Sequence, residues 1–172
     1  PHSLPVLPTR FVGRAREMSM IRQRLLVGRS GIVTLVGPGG VGKTRLALQA
    51  AATLYREFTD GIHYVELSGV ESAADMCTSI LNALGVKEPG GLDPDTGSSA
   101  TPLEVISQQL RHSRTLVILD TFERLLDAAQ DVVSIARVCP TIRILITSRQ
   151  RLGVQSEEVT CARRSCGPGP AP

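Results

Sequence analysis

The sequence has no tryptophan, and aromatic residues make up only 3% of its 172 positions. A surface that stacks single-stranded nucleic acid needs exposed rings, so that class of function is disfavoured. No block of lysine and arginine is present either. Nineteen Lys/Arg stand against 16 Asp/Glu, and two of the arginines, Arg163 and Arg164, fall in a terminal Cys/Gly/Pro-rich stretch, which leaves a charge of +1 on the rest. Such a balance provides no electrostatic footprint for DNA or a membrane. The four cysteines, Cys77, Cys139, Cys161 and Cys166, form no CxxC pair, and no histidine lies at metal-ligand spacing. Reduced thiols in a cytoplasmic protein are the expectation. No apolar run approaches the ~20 residues needed to span a bilayer, and the Pro-rich start, PHSLPVLPTR, lacks the apolar centre of a signal peptide.

What is present is an aliphatic core, with 42% apolar residues and a mean hydropathy of +0.07. The length suits one domain. Residues 1–10 read as an extended linker, as if this were a piece of something longer. An amphipathic helix is expected over 15–27, with Met18, Ile21 and Leu25 on one face and Gly28 as its stop. Short apolar, β-branched runs at 32–36, 62–67, 115–119 and 142–146 read as buried parallel strands. They alternate with helices expected at 42–58, 72–84, from Thr101 onward, and 122–138. The helix at Thr101 opens with a capping-box pattern, Thr101-Pro102-Leu103-Glu104. Residues 87–100 read as a surface loop, 157–161 as one further candidate strand, and 159–172 as an irregular tail. Alternation of this kind predicts an α/β fold with helices on both faces of a parallel sheet and ligands at the carboxyl ends of the strands.

Chemistry-bearing residues fall at those ends. Gly37-Pro-Gly-Gly-Val-Gly-Lys43-Thr44 matches GxxxxGK[ST] between a buried strand and a helix, the context that makes a phosphate-binding loop. Glycines let successive N–H groups curl around phosphate oxygens, and the helix start aims its positive end at the same anion. Lys43 is expected on the β- and γ-phosphates and Thr44 on Mg²⁺. Leu116-Val-Ile-Leu-Asp120 has the form of a Walker B strand. Alone, Asp120 could cap the next helix; below a P-loop, it is read as the Mg²⁺ partner facing Thr44. Thr121 occupies the position where many hydrolytic P-loop enzymes carry a glutamate. Glu123 is two residues further on, either a base for water or a helix cap. Arg149, at the tip of the next strand after Thr147 and Ser148, is read as a sensor of the γ-phosphate, the alternative being a solvated strand-end arginine.

Together, FVGRARE, VTLVGPGGVGKTRLA, LVILDTFERLL and CPTIRILITSR, in that order, resemble the nucleotide-binding core of NB-ARC ATPases. These belong to the STAND class of signal-transduction NTPases, and the wording is nearest to the branch found in bacterial multidomain transcriptional regulators. The resemblance covers about residues 4–158, and the core is expected over 11–158. It implies a P-loop NTPase fold: a three-layer α/β/α sandwich with a parallel sheet of four to five strands in ASCE-type order. It also implies ATP or ADP with Mg²⁺ as cofactors, further domains of a longer regulator as partners, and self-association on ATP binding. Val12 and Arg14 would line the adenine and ribose side. The expected nucleotide contacts are thus Val12, Arg14, Gly37, Pro38, Gly39, Gly40, Val41, Gly42, Lys43, Thr44 and Arg45. Thr44 and Asp120 are the expected metal pair, and Lys43, Asp120, Glu123 and Arg149 the expected catalytic groups. The branch commonly shows Asn and then His around the Walker B acid, where this chain has Thr121 and Arg124. The resemblance stops after Glu158, before the helical and winged-helix domains that contact adenine and the ADP β-phosphate. Binding is therefore better supported than fast hydrolysis. Other readings are a loader ATPase of the AAA+ initiator type, a small-molecule P-loop kinase, and a degenerate assembly domain.

Overall fold

The computed structural model describes residues 2–5, 13–86 and 100–162. Its centre is a six-stranded, wholly parallel sheet made of β1 (His2–Ser3), β2 (Ile32–Val36), β3 (Gly61–Glu66), β4 (Thr115–Asp120), β5 (Arg143–Ser148) and β6 (Glu157–Cys161). The order across the sheet is β1-β3-β4-β5-β2-β6. Five of these strands make the expected ASCE-type sheet, in which β5 separates the P-loop strand β2 from the Walker B strand β4. The sixth is a two-residue edge strand paired with Ile62 and His63, within the stretch expected as a linker. At the other edge β6 pairs with β2 along its whole length. Residues 159–162, expected to open an irregular tail, are instead ordered against β2: Val159–Cys161 complete this ladder and the Ala162 N–H donates to the Val36 carbonyl (2.8 Å). The rest of the expected tail lies outside the described residues.

Alternation along the strands divides the interior between two faces. Val33, Leu35, Ile62, Leu116, Ile118 and Leu145 pack against α1 (Ala15–Val27) and α2 (Lys43–Thr53). Ile32, Val65, Val117, Leu119, Ile144 and Ile146 pack against α3 (Ala73–Leu84), α4 (Pro102–Leu110) and α5 (Ala129–Val138). The helices begin and end by local chemistry. Ser72 caps α3 through the Asp75 N–H (3.1 Å), and Gly85 closes it in the left-handed conformation at φ 71°. Thr101 and Glu104 form the expected capping box at α4, with Pro102 in its first turn. The Arg143 guanidinium donates to the Leu25 carbonyl (2.8 Å) in the last turn of α1.

Two helices are shorter than their apolar spacing suggests. α2 stops at Thr53, where the side-chain hydroxyl donates back to the Ala50 carbonyl (2.7 Å), although Leu54 and Phe58 beyond it remain buried. The helix expected over 122–138 starts instead as two 3₁₀ turns, Phe122–Arg124 and Leu126–Ala128, and becomes α-helical only at Ala129. Phe122, Leu125 and Ala128 are all buried, and their spacing of three matches the three-residue pitch of a 3₁₀ turn. Among the described residues no helix is long and apolar enough to cross a membrane.

Candidate nucleotide site

The P-loop leaves the tip of β2 and delivers the chain to α2. Gly37 is required by close approach: a Cβ there would lie 2.7 Å from the Ala162 carbonyl oxygen and 3.2 Å from Val41 Cγ1. Gly42 stands at the N-cap of α2 in the left-handed conformation (φ 84°, ψ 32°), which turns the chain so that the first N–H groups of the helix open onto the loop. Lys43 folds over the loop, its ammonium donating to the carbonyls of Gly37 (2.9 Å) and Pro38 (3.0 Å). Burial pushes this lysine below its ordinary range. The Arg149 charge acts in the same direction, and Glu123 and Asp120 oppose it.

Asp120, at the tip of β4 and 4% exposed, collects hydroxyl donors from three separate elements. Thr44, in the first turn of α2, donates to its carboxylate at 2.8 and 2.9 Å. Thr147 of β5 donates to Oδ1 at 2.5 Å, and the Tyr64 hydroxyl of β3 donates to Oδ2 at 3.0 Å. The direction of the Thr147 bond follows from its other contact: its oxygen accepts the Thr121 N–H (3.0 Å), so its own proton points to Asp120. Burial raises the Tyr64 phenol well above its ordinary pKa, and the neighbouring Asp120 charge adds to the shift, so the phenol stays a donor. The Walker pair expected from sequence is thus brought together, with Thr44 touching Asp120 directly.

Arg149 and Glu123, given separate tasks by sequence, form an ion pair at 2.9 Å. Arg149 is 68% exposed and Glu123 18%, and the second carboxylate oxygen of Glu123 is buried with no hydrogen-bond partner. The guanidinium also borders the loop, 3.8 Å from where a Cβ on Gly39 would stand. Arg14, just before α1, is 8% exposed and donates from Nη2 to the Val41 carbonyl at 2.5 Å, while its Nη1 is buried and unpartnered. Its contact with the protein is therefore a brace on the P-loop backbone. Arg45 lies in the first turn of α2. Val12 is outside the described residues.

These residues fit a Mg²⁺–nucleotide. A lysine and a helix start meet at a glycine loop, one carboxylate is shared with a Walker threonine, and two buried polar atoms, Glu123 Oε2 and Arg14 Nη1, belong to side chains beside the loop yet have no protein partner. A groove of about 730 Å³ lined by Arg29, Gln130, Arg137 and Gln155 contains none of the site residues and lies at the opposite end of the sheet, where β2 and β6 begin. Sequence reading missed two contributors. Tyr64 is seen to matter only once β3 is known to lie beside β4, and Ala162 only once β6 is known to lie beside β2.

The site has relatives. The chain is 37% identical over 150 residues to an uncharacterised protein of Mycobacterium tuberculosis, covering 87% of this chain and 36% of that one. It is 32% identical over 159 residues to the regulatory protein AfsR of Streptomyces griseus, covering 88% of this chain and 16% of AfsR. The chain thus spans about a third of the first relative and less of the second. Among solved structures, its fold is similar to that of a STAND protein with a tetratricopeptide repeat sensor from Pyrococcus horikoshii. That likeness has a TM-score of 0.62 at 23% identity and covers 93% of this chain and 24% of the other. The family model described as AAA domain matches residues 25–153, which include the P-loop, Asp120 and Arg149. With three quarters of its length so matched, this chain belongs to the AAA domain family of P-loop ATPases, which generally bind ATP or ADP with Mg²⁺.

Proposed function

We propose that this chain is the ATP/ADP-binding core of a STAND-type signal-transduction regulator, similar to NB-ARC domains, working as a nucleotide switch with slow Mg²⁺-dependent hydrolysis. The observation that carries the reading is the contact between Thr44 and Asp120 at 2.8 and 2.9 Å, with Thr44 next in sequence to Lys43, whose ammonium folds over the loop. A threonine that donates its proton to a carboxylate keeps its oxygen lone pairs for a metal, and a carboxylate held this way serves as the metal's second partner. A bound Mg²⁺–triphosphate would supply the electrophilic phosphorus and neutralise charge on its own oxygens. The protein's part is placement. Lys43 exchanges its loop carbonyls for phosphate oxygens, the loop N–H groups and the α2 start bind the anion, and Thr44 and Asp120 hold the metal side.

The same geometry supports a slow reaction. Thr121 carries no acid, and the next carboxylate along the chain, Glu123, is tied to Arg149. In this reading Arg149 is the γ-phosphate sensor and Glu123 orients water once the pair parts. Arg14, with Val12, borders the base and ribose side, and the switching unit is residues 11–158. Regulation is supported by the relatives: AfsR is named a regulatory protein, and the Pyrococcus neighbour is a STAND protein with a repeat sensor. Both are much longer than this chain, which supports partner domains in the intact protein, and ATP-linked self-association belongs to the same proposal. Free thiols at Cys77, Cys139 and Cys161 suit a cytoplasmic setting.

The test is calorimetry with a non-hydrolysable ATP analogue and Mg²⁺. Lys43→Ala is expected to weaken binding more than about tenfold, because a charge-assisted contact is lost. Equal affinities for wild type and variant would sink the assignment. Phosphate release is then compared between the wild type and Asp120→Asn; equal rates would leave a binding protein and remove the hydrolase.

A further inference from the structure

We propose that Tyr64 is a positioning residue for Mg²⁺: it locks the orientation of the Asp120 carboxylate through its second oxygen. The inference rests on the nucleotide-site reading above and adds to it a residue outside the P-loop and Walker B motifs.

A carboxylate at a strand tip rotates about its last bond unless both oxygens are held. Thr44 cannot hold it alone, since its single proton is shared between Oδ1 and Oδ2 at 2.8 and 2.9 Å. Thr147 fixes Oδ1, and Tyr64 fixes Oδ2. The register explains why position 64 can do this. Tyr64 pairs with Ile118, so it shares a sheet face with Ile118 and with Asp120 two residues further along. The α1–α2 core packs against that face and against the Tyr64 ring, and α2 brings Thr44 to it. The ring is anchored among apolar side chains while its hydroxyl reaches the carboxylate.

Each donor has a distinct task. Thr44 is common to the metal and the acid. Thr147 passes the Thr121 backbone N–H into the network, linking the strand tip to the turn that carries Glu123. Tyr64 is the donor that comes from the neighbouring strand on the side away from β5, so it opposes Thr147 across the carboxylate. A phenylalanine would keep the packing and lose only the donor. Second partners of this kind set how strongly a metal site binds without touching the metal.

The experiment uses the 172-residue chain, with ADP titrated by calorimetry in Mg²⁺ and again in EDTA. The wild type is expected to bind ADP more tightly with Mg²⁺. Tyr64→Phe is expected to keep the metal-free affinity within about twofold and to reduce the gain from Mg²⁺ by about tenfold, the lower end for residues that hydrogen-bond a metal's ligand. Thr147→Val, which removes the opposing donor, should change the Mg²⁺ gain in the same direction. An unchanged Mg²⁺ gain in Tyr64→Phe overturns the positioning role and leaves the nucleotide site standing. Equal loss with and without Mg²⁺ also overturns it, since a residue of purely structural importance behaves that way. A wild type that does not bind ADP under either condition removes the nucleotide-site reading itself, and this inference with it.

Discussion

Exchanging Thr121 for asparagine isolates a backbone cost paid at the centre of the site. Thr121 has φ 66° and ψ 49°, and it is the one non-glycine residue with positive φ among the described residues. A left-handed conformation costs an L-residue roughly 1–2 kcal/mol, and a β-branched side chain is the least suited to it. The conformation is imposed by its surroundings. The Thr121 N–H reaches Thr147, and the chain must turn at once to bury Phe122 completely. Both contacts involve the backbone or the next residue, so a new side chain at 121 leaves them in place. Asparagine tolerates this region, and Thr121→Asn is expected to stabilise the fold by about 1 kcal/mol. For a chain of this size that corresponds to a melting temperature about 2–4 °C higher. Thr121→Gly relieves the same cost but loosens the unfolded chain, so its gain should be smaller. Thr121→Val keeps the branch and should gain nothing. Urea unfolding followed by circular dichroism, with the slope unchanged across the series, measures all three. An asparagine variant no more stable than wild type, or a valine variant more stable than the asparagine one, would refute the reasoning.

Gly37→Ala forces a methyl against the Ala162 carbonyl, which is backbone and cannot swing aside, so a loss of about 1–3 kcal/mol in urea unfolding is expected; an unchanged midpoint would show that β6 yields freely. Arg149→Ala should leave stability within about 0.5 kcal/mol, because an ion pair with so exposed an arginine contributes little. The same variant should lose preference for ATP over ADP in calorimetry, and a retained preference would exclude Arg149 as the sensor. At α4, the Thr101 N–H and then its hydroxyl hold the Glu104 carboxyl below the usual carboxylate range. The stability this provides is present above the unfolded pKa of glutamate and is lost as pH falls through the depressed value. The melting-temperature gap between wild type and Glu104→Gln should therefore be open at neutral pH and close in acid; a gap independent of pH counts against the cap.

Much of the sheet is legible in the sequence because each inner strand is a short apolar run, and such runs are buried on both faces. β2 and the helix α1 have the bounds that their spacing predicts. The strand–loop–helix setting of residues 37–44 is legible for a similar reason: it is built from one short segment, and its context is local. What was not legible depends on which strands are neighbours. Tyr64 reads as one more apolar position of β3, and nothing near it in sequence shows that a carboxylate 56 residues later is its acceptor. Arg149 and Glu123 each have a plausible separate task, and only the approach of β5 to the turn after β4 pairs them. The broken helix after Asp120 is a matter of energy balance. Residues 122–138 satisfy a helical pattern, but the left-handed turn at Thr121 and the burial of Phe122, Leu125 and Ala128 favour a tighter pitch first.

The contact between Gly37 and Ala162 has a mechanical side. β6 lies beside the P-loop strand, and its last hydrogen bond, from Ala162 to Val36, sits one residue before the loop begins. Because Gly37 carries no side chain, its backbone comes so near Ala162 that a Cβ would lie 2.7 Å from the carbonyl oxygen. A shift of Gly37 toward β6 meets the Ala162 carbonyl, which is backbone and not a side chain that could swing aside. The start of the phosphate loop and the end of β6 thus form one mechanical unit, and a substitution that loosens the β2–β6 ladder should loosen Gly37 with it.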